Sequence, residues 1–396
     1  MNSHKTERLH ALDSLRAIMM MLGIVLHTSI TYIGGKPSTG WPMRDPNTAN
    51  SFLEWVLSMT HNFRMPIFML VAGFFAALLF YDRSPKKMII NRFKRIVLPF
   101  IVFVLLLWPL VTVAFSYSNK VFSFDTLFES VIGQSYVNTT FSSFSELTSF
   151  LPESTIHLWF LYYLIMFSIA SYALGKLFRK LPALTKKINH AFIYIIEKPF
   201  LKLIVFSLST FLILLLMDSS WVNTSTSFIP EIGTFVFYFS FYIIGWVLFK
   251  SKHLLSSFLK HDWLFLTLGI ILYTFYFLVD LSDFGFQLIA LIKSTTVWLF
   301  IFGFTGLFMR YFSKHSPLMR YVSDSAYWVY LLHLPLTAII PGLIGGWDLP
   351  AIIKFLIVAL LTTAICFITY HYFVRSSFIG NFLNGRKYSK KLSDIK

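Results

Sequence analysis

Cysteine is all but missing. Cys366 stands alone among 396 residues and lies in a late apolar stretch, so no intramolecular disulfide framework holds this chain. Charge is scarce too: 13% of residues are Asp, Glu, Lys or Arg, against about a quarter in soluble proteins. That excludes the two or three soluble domains such a length ordinarily implies. Acids are the rarer sign, 18 against 34 bases, for a net charge of +16. Such an excess can mark a nucleic-acid binder. In a chain this apolar, bases collecting on cytoplasmic loops explain it better, and no nucleic-acid partner is expected. The first apolar run lacks a short hydrophobic region followed by a small-residue cleavage site, so it reads as a retained helix. Internal repeats and paired interrupted helices, the usual transporter pointer, are also absent.

Apolar sequence is abundant: 56% of the chain is hydrophobic, with 45 Phe. Runs of about 20 apolar residues suffice to span a bilayer. Ten occur, at 11–33, 52–80, 96–117, 157–178, 200–217, 232–250, 262–279, 286–309, 321–340 and 350–374. They predict an all-α integral membrane protein in contact with lipid. One transmembrane domain covers 1–375, and a basic tail covers 376–396. The runs at 200–217 and 262–279 are short enough to be tilted or broken. Bases fill alternate loops, among them 81–95 and 176–202, while the intervening loops collect acids such as Asp45, Glu146, Glu231 and Asp348. An even number of spans then leaves both termini in the cytoplasm. The outer loop at 118–156, rich in Ser, Thr and Phe, reads equally as a lid or acceptor-binding segment and as a surface loop with no role.

The stretch that organises the rest is 12–32, which carries Asp13, Arg16 and His27 inside an apolar span. Ionisable groups in a membrane are costly and mark function by default. Eleven residues separate Arg16 from His27, about three helical turns, so both leave one face roughly 16 Å apart. Asp13 shares the stripe, three residues before Arg16. Gly23, a turn before His27, leaves room on that face. Four histidines, His27, His61, His157 and His333, fall at similar depth. Arg64 shares a face with His61. Trp159 follows His157, Asp324 and Tyr330 precede His333, and Lys293 lies within the eighth span.

Neutral imidazoles at one depth suit a metal ion or proton transfer. No two lie within four residues of each other in one span, so the spacing speaks against a metal, and none is expected. A histidine that takes a proton from a hydroxyl and returns it to a leaving group is the better reading. Structural hydrogen bonding accounts for one or two of the four. The Arg16–His27 separation matches the extended pantetheine arm of coenzyme A, with Arg16, Arg92, Lys94 and Arg95 as a basic mouth for its phosphates. Arg64 lies too deep to snorkel and has few acids at its depth. A succinyl carboxylate on the substrate would supply the missing anion, with Lys293 as a second contact.

Arg16, ten residues, then His27 resembles the first-helix signature of the type-3 membrane O-acyltransferases. The resemblance extends to Leu-Asp-Ser-Leu-Arg at 12–16, Met-Leu-Gly-Ile at 21–24 and His-Asn-Phe-Arg-Met-Pro-Ile-Phe at 61–68. It continues through Ala-Gly-Phe-Phe at 72–75, His-Leu-Trp-Phe-Leu at 157–161 and Tyr-Leu-Leu-His-Leu-Pro-Leu at 330–336. These look like the subgroup that succinylates periplasmic glucans. The resemblance implies a multi-pass enzyme of the bacterial inner membrane. It implies acyl transfer from a cytoplasmic acyl-CoA, succinyl-CoA or acetyl-CoA, to a periplasmic glycan, with no tightly bound cofactor. It carries Arg16, His27, Arg64, His157 and His333 as motif positions, with His27 as base. Two departures stand out: no acid lies between His157 and Lys176, and Leu334 occupies a position where a second histidine is expected. Acetyl transfer to lipopolysaccharide, peptidoglycan or exopolysaccharide, a glycan or acyl-carrier transporter, and a scaffold with structural polar residues are the rivals.

Overall fold

Long runs of Leu, Ile, Phe and Val have no water to satisfy their backbone inside a bilayer, so they close their hydrogen bonds within helices. The computed structural model describes residues 9–38, 40–123, 150–222, 224–279 and 281–390. Within them the chain forms α1 (His10–Thr31), α2 (Ser51–Leu78), α3 (Pro85–Arg92), α4 (Leu98–Ser123), α5 (Trp159–Arg179), α6 (Pro182–Glu197) and α7 (Pro199–Leu216). These are followed by α8 (Ile232–Lys250), α9 (Asp262–Leu278), α10 (Gly285–Tyr311), α11 (Pro317–Leu343), α12 (Ala351–Thr369) and the short α13 (Phe378–Asn384). Nine helical segments among the described residues are long and apolar enough to cross a membrane. A tenth arises if α9 is joined to the 3₁₀ stretch Lys252–Lys260 before it, from which it bends by 66°. The short run at 262–279 is itself one continuous helix, and the bend lies just before it.

Two stretches expected as basic loops are largely helical. A π-turn over Leu79–Arg83 extends α2, and a second over Phe93–Val97 joins α3 to α4. Ser84 separates the two pieces and caps α3, its Oγ accepting from the Lys87 N–H at 3.1 Å. Between Lys176 and Lys202 the chain forms α6. Lysine and arginine are good helix formers, so a basic stretch at a membrane surface extends its neighbours. Helix α4 also runs beyond 117, to Ser123. The outer-loop reading of 118–156 falls mostly on residues 124–149, which lie outside the described residues.

Helix α1 packs among α2, α10, α11 and α12, and α2 also lies along α8. The α2–α8 crossing depends on two glycines. A Cβ on Gly73 would collide with the Tyr242 carbonyl, and one on Gly245 with the Leu70 carbonyl. Small residues at a crossing let backbones approach where lipid gives helices no hydrophobic reason to associate. Leucines such as Leu106, Leu110 and Leu360 remain exposed on the outer faces, as a lipid-facing surface requires.

Arg83, Lys87, Lys94 and Arg95 gather at one end of the bundle, the basic end. Residues after 375 are seated there. Arg95 Nη1 donates to the Leu383 carbonyl at 2.8 Å, and Arg375 Nε donates to that of Ser389 at 2.7 Å. The Tyr388 hydroxyl donates to Asp324 Oδ1 at 2.7 Å. Burial, and then the nearby Asp324 carboxylate, push the Tyr388 phenol pKa up, which keeps it a donor.

Candidate functional site

His27 lies one turn from the end of α1 remote from the bases. That last turn leaves carbonyls without intrahelical donors, and the segment at 32–50 folds back to satisfy them. Asp45 N–H donates to the Thr31 carbonyl at 2.9 Å, and Asn50 N–H donates to that of Tyr32 at 3.0 Å. The fold-back places Trp41 flat on His27, with ring centroids 5.3 Å apart and planes 17° apart. The Trp41 indole N–H is fixed by Thr31 Oγ1 at 3.1 Å. A 2.8 Å ion pair between Asp45 and Lys354 of α12 ties the segment down, with both side chains essentially unexposed. Arg44, in the same segment, has its pKa lowered by burial.

Helix α11 supplies the next histidine. Pro335 has no N–H, so the Leu331 carbonyl four residues earlier loses its helical donor. His157 Nε2 fills the gap, 3.3 Å from that carbonyl and 3.1 Å from the Tyr330 carbonyl, while the Tyr330 hydroxyl donates to the His157 carbonyl at 2.6 Å. His333 Nδ1 turns back to the Tyr330 carbonyl at 2.6 Å and that of Val329 at 3.2 Å. Carbonyls only accept, so these partners assign the proton to Nε2 in His157 and to Nδ1 in His333. The other ring nitrogens, His157 Nδ1 and His333 Nε2, have no protein partner among the described residues, and neither does His27 Nδ1. The His333 ring is 5.2 Å from His27 and 5.4 Å from His157.

Arg64 completes the cluster, and Gly23 admits it. A Cβ on Gly23 would sit 2.7 Å from Arg64 Nη1 and 3.2 Å from His333 Nε2. A larger residue there would push the guanidinium, and to a lesser degree the imidazole, away from α1. Arg64 Nη2 is 3.7 Å from the Met65 sulfur, a weak acceptor, and Nε has no partner. No ion pair among the described residues includes Arg64. Tyr238 and Tyr330 are its electrostatic neighbours, and Trp159 packs on Tyr238 at 5.4 Å. Two imidazoles with bare nitrogens beside a guanidinium can take a proton from a hydroxyl and stabilise an oxyanion.

The other expected residues lie elsewhere. His61 does not join the three histidines; it stacks on Trp221 at 4.3 Å, in a cleft shared with Lys293, although Arg64 and Lys293 are both within its electrostatic reach. At the basic end, Arg16 bonds Asp13 at 3.2 Å and lies over the Phe75 ring. Arg92 is its electrostatic neighbour and donates to the Ala72 carbonyl at 3.3 Å. The expected basic mouth is divided. Lys94 and Arg95 line a separate cleft with Arg83, Lys87 and the α13 segment, because Arg95 is held by the Leu383 carbonyl. Asp324 pairs with Arg320 at 3.0 Å and with Tyr388, and so belongs to the seat of the tail. Among the described residues no group of three or more His, Cys, Asp or Glu is arranged to hold a metal ion.

Trp41, Tyr238, Trp221 and the Asp45–Lys354 pair belong to the site's surroundings without standing in any of the sequence motifs. Lys354, a lysine inside an apolar span, is the one with a signal that could have been read.

The class of this many-helix protein, with its buried His–Arg cluster, is that of the membrane-bound O-acyltransferases, as its family match and relatives show. The chain belongs to the acyltransferase family: the model described as "Acyltransferase domain" matches residues 9–371. Its relatives include proteins named "Glucans biosynthesis protein C" from Escherichia coli strain K12 and from Escherichia coli O157:H7. Each is 24% identical over 410 residues, which cover 100% of this chain and 99% of the relative. No solved structure matches the chain significantly.

Proposed function

We propose that this protein transfers an acyl group, succinyl by preference, from a cytoplasmic acyl-CoA across the bacterial inner membrane to a hydroxyl of a periplasmic glucan. The observation that carries the reading is the meeting of His27, His333 and Arg64 beside Gly23, with His27 about three helical turns from Arg16 on α1. The name of the E. coli relatives supports a glucan acceptor.

In this reading the basic end is cytoplasmic. Arg16, steadied by Asp13, and Arg92 hold the CoA phosphates, and the pantetheine arm runs along α1. His27 removes the acceptor's hydroxyl proton as the oxygen attacks the thioester carbonyl. Arg64 stabilises the oxyanion. The carbon–sulfur bond then breaks, and the departing thiolate takes the proton back from the imidazolium. His157 and Tyr330 hold the α11 backbone against which His333 is fixed. The membrane supplies lipid contacts only.

The test is mass spectrometry of cell-envelope glucans from cells with and without the protein. Succinylated species are expected only in its presence. Unchanged glucan profiles would refute the proposal, and acetyl increments on another envelope polysaccharide would favour the acetyltransferase rival.

A further inference from the structure

The transfer chemistry makes no use of Lys293, yet Lys293 is among the least comfortable groups in the protein. It is 9% exposed and carries a charge within a membrane span. Among the described residues its ammonium makes no hydrogen bond and no ion pair. Its ammonium is packed only against rings, 4.5 Å from the centroid of Trp221 and 5.2 Å from that of Tyr276. Aromatic faces offset part of the desolvation of a cation, but they do not replace an anion. Lys354, similarly buried, has Asp45.

The surroundings of Lys293 are shaped for a small ligand. A small cleft of about 30 Å³, room for a group the size of a carboxylate, lies between α2, α8 and α10 under Trp221, and Asn62, Ser220 and Ser294 contribute polar lining. His61 forms part of its wall, stacked on Trp221. Helix α2 carries both His61 of the cleft wall and Arg64 of the reacting centre. His61 is within electrostatic reach of Lys293 on one side and of Arg64 on the other. Arg64 lies three residues further along the helix, against Gly23 and His333. Lys293 and His61 thus line the cleft, and His61 and Arg64 are electrostatic neighbours, with Arg64 at the histidine cluster.

We propose that the cleft under Trp221 is a subsite for a carboxylate at the remote end of the acyl group, so that Lys293 selects thioesters of short dicarboxylic acids. The proposal rests on the acyl-transfer reading above and assigns that reading a specificity determinant. The thioester carbonyl sits at the His27–His333–Arg64 cluster, and a two-carbon spacer carries the terminal carboxylate past His61 to the ammonium. An acetyl or butyryl group would leave Lys293 without an anion. The other source of a carboxylate is an acidic acceptor.

The test uses the purified protein in lipid nanodiscs with a neutral glucan acceptor. It compares kcat/KM for succinyl-CoA with that for butyryl-CoA, which has a methyl in place of the carboxylate. Donor binding is read separately from thermal shifts with each thioester. The wild type is expected to favour succinyl-CoA by about 10- to 100-fold, the range of a hydrogen bond to a charged group. Lys293→Met should bring that ratio close to parity, and Lys293→Arg should keep most of it. A ratio unaffected by Lys293→Met would overturn the inference. So would a variant that changes the preference for acidic over neutral acceptors instead. Transfer by the wild type with no succinyl preference would remove the inference and leave acyl transfer standing, whereas failure to bind or use either thioester would remove both.

Discussion

His27→Ala is expected to lower acyl transfer by about 10²–10⁴-fold, the usual contribution of a general acid–base group. Of the three histidines with bare nitrogens, the two beside Arg64 and Gly23 are His27 and His333, and the geometry makes His27 the better placed. His333 is pinned through Nδ1 to the Tyr330 and Val329 carbonyls, so it can act only through Nε2, which faces Gly23 and Arg64. His27 has no such tether among the described residues. It is held by stacking on Trp41 and by the His333 ring, and stacking leaves both nitrogens able to exchange protons. Initial rates of transfer from a labelled acyl-CoA give the fold-loss directly. His27→Gln serves beside it, since it keeps polar bulk under Trp41 and cannot act as a base. Both variants should purify as monodisperse protein, because His27 has only ring contacts to lose. Near-wild-type transfer by His27→Gln would move the base to His333.

The second large effect is on stability. Asp45→Asn or Lys354→Met alone is expected to destabilise the protein by about 3–5 kcal/mol, the cost of leaving one partner of a buried ion pair uncompensated. The pair is 2.8 Å apart and essentially unexposed, and Lys354 also approaches the Gly345 carbonyl at 3.4 Å. The segment that Asp45 anchors carries Trp41, so the loss should also loosen the cover over His27. Thermal unfolding of the detergent-solubilised variants reads the first effect, and protection of the 32–50 segment from proteolysis reads the second. The double variant Asp45→Asn with Lys354→Met should recover much of the loss, since no unpaired charge then remains. A single variant as stable as the wild type would show that the pair does not hold this segment.

What the sequence could show follows from how local each feature is. Asp13, Arg16, Gly23 and His27 lie on one helix, where spacing alone fixes a shared face, and the structure keeps them in register. Depth in the membrane was also readable, because it follows from distance along a span. It brought His157 and His333 to the level of His27. Depth does not fix azimuth, however. His61 stands at the same level but faces Trp221, a residue of the connection between α7 and α8 whose position no periodicity reveals. The pairing of Asp45 with Lys354, 309 positions apart, was out of reach for the same reason. Lys94 and Arg95 were expected beside Arg16 because they follow Arg92. Consecutive residues on a helix point in different directions, and the α13 segment claims Arg95. The freed Leu331 carbonyl, by contrast, was implicit in Leu-Pro at 334–335.

In the proposed function, one bundle accepts an acyl thioester at its basic end and delivers the acyl group to a hydroxyl at the other. The most direct measurement is made on sealed vesicles holding the protein in a single orientation, with radiolabelled succinyl-CoA confined to the side of Lys94 and Arg95 and glucan confined to the side of Trp41. The account predicts labelled glucan on the Trp41 side and free CoA on the other, both abolished by His27→Gln. Labelled glucan that forms only when donor and acceptor share one compartment would contradict it.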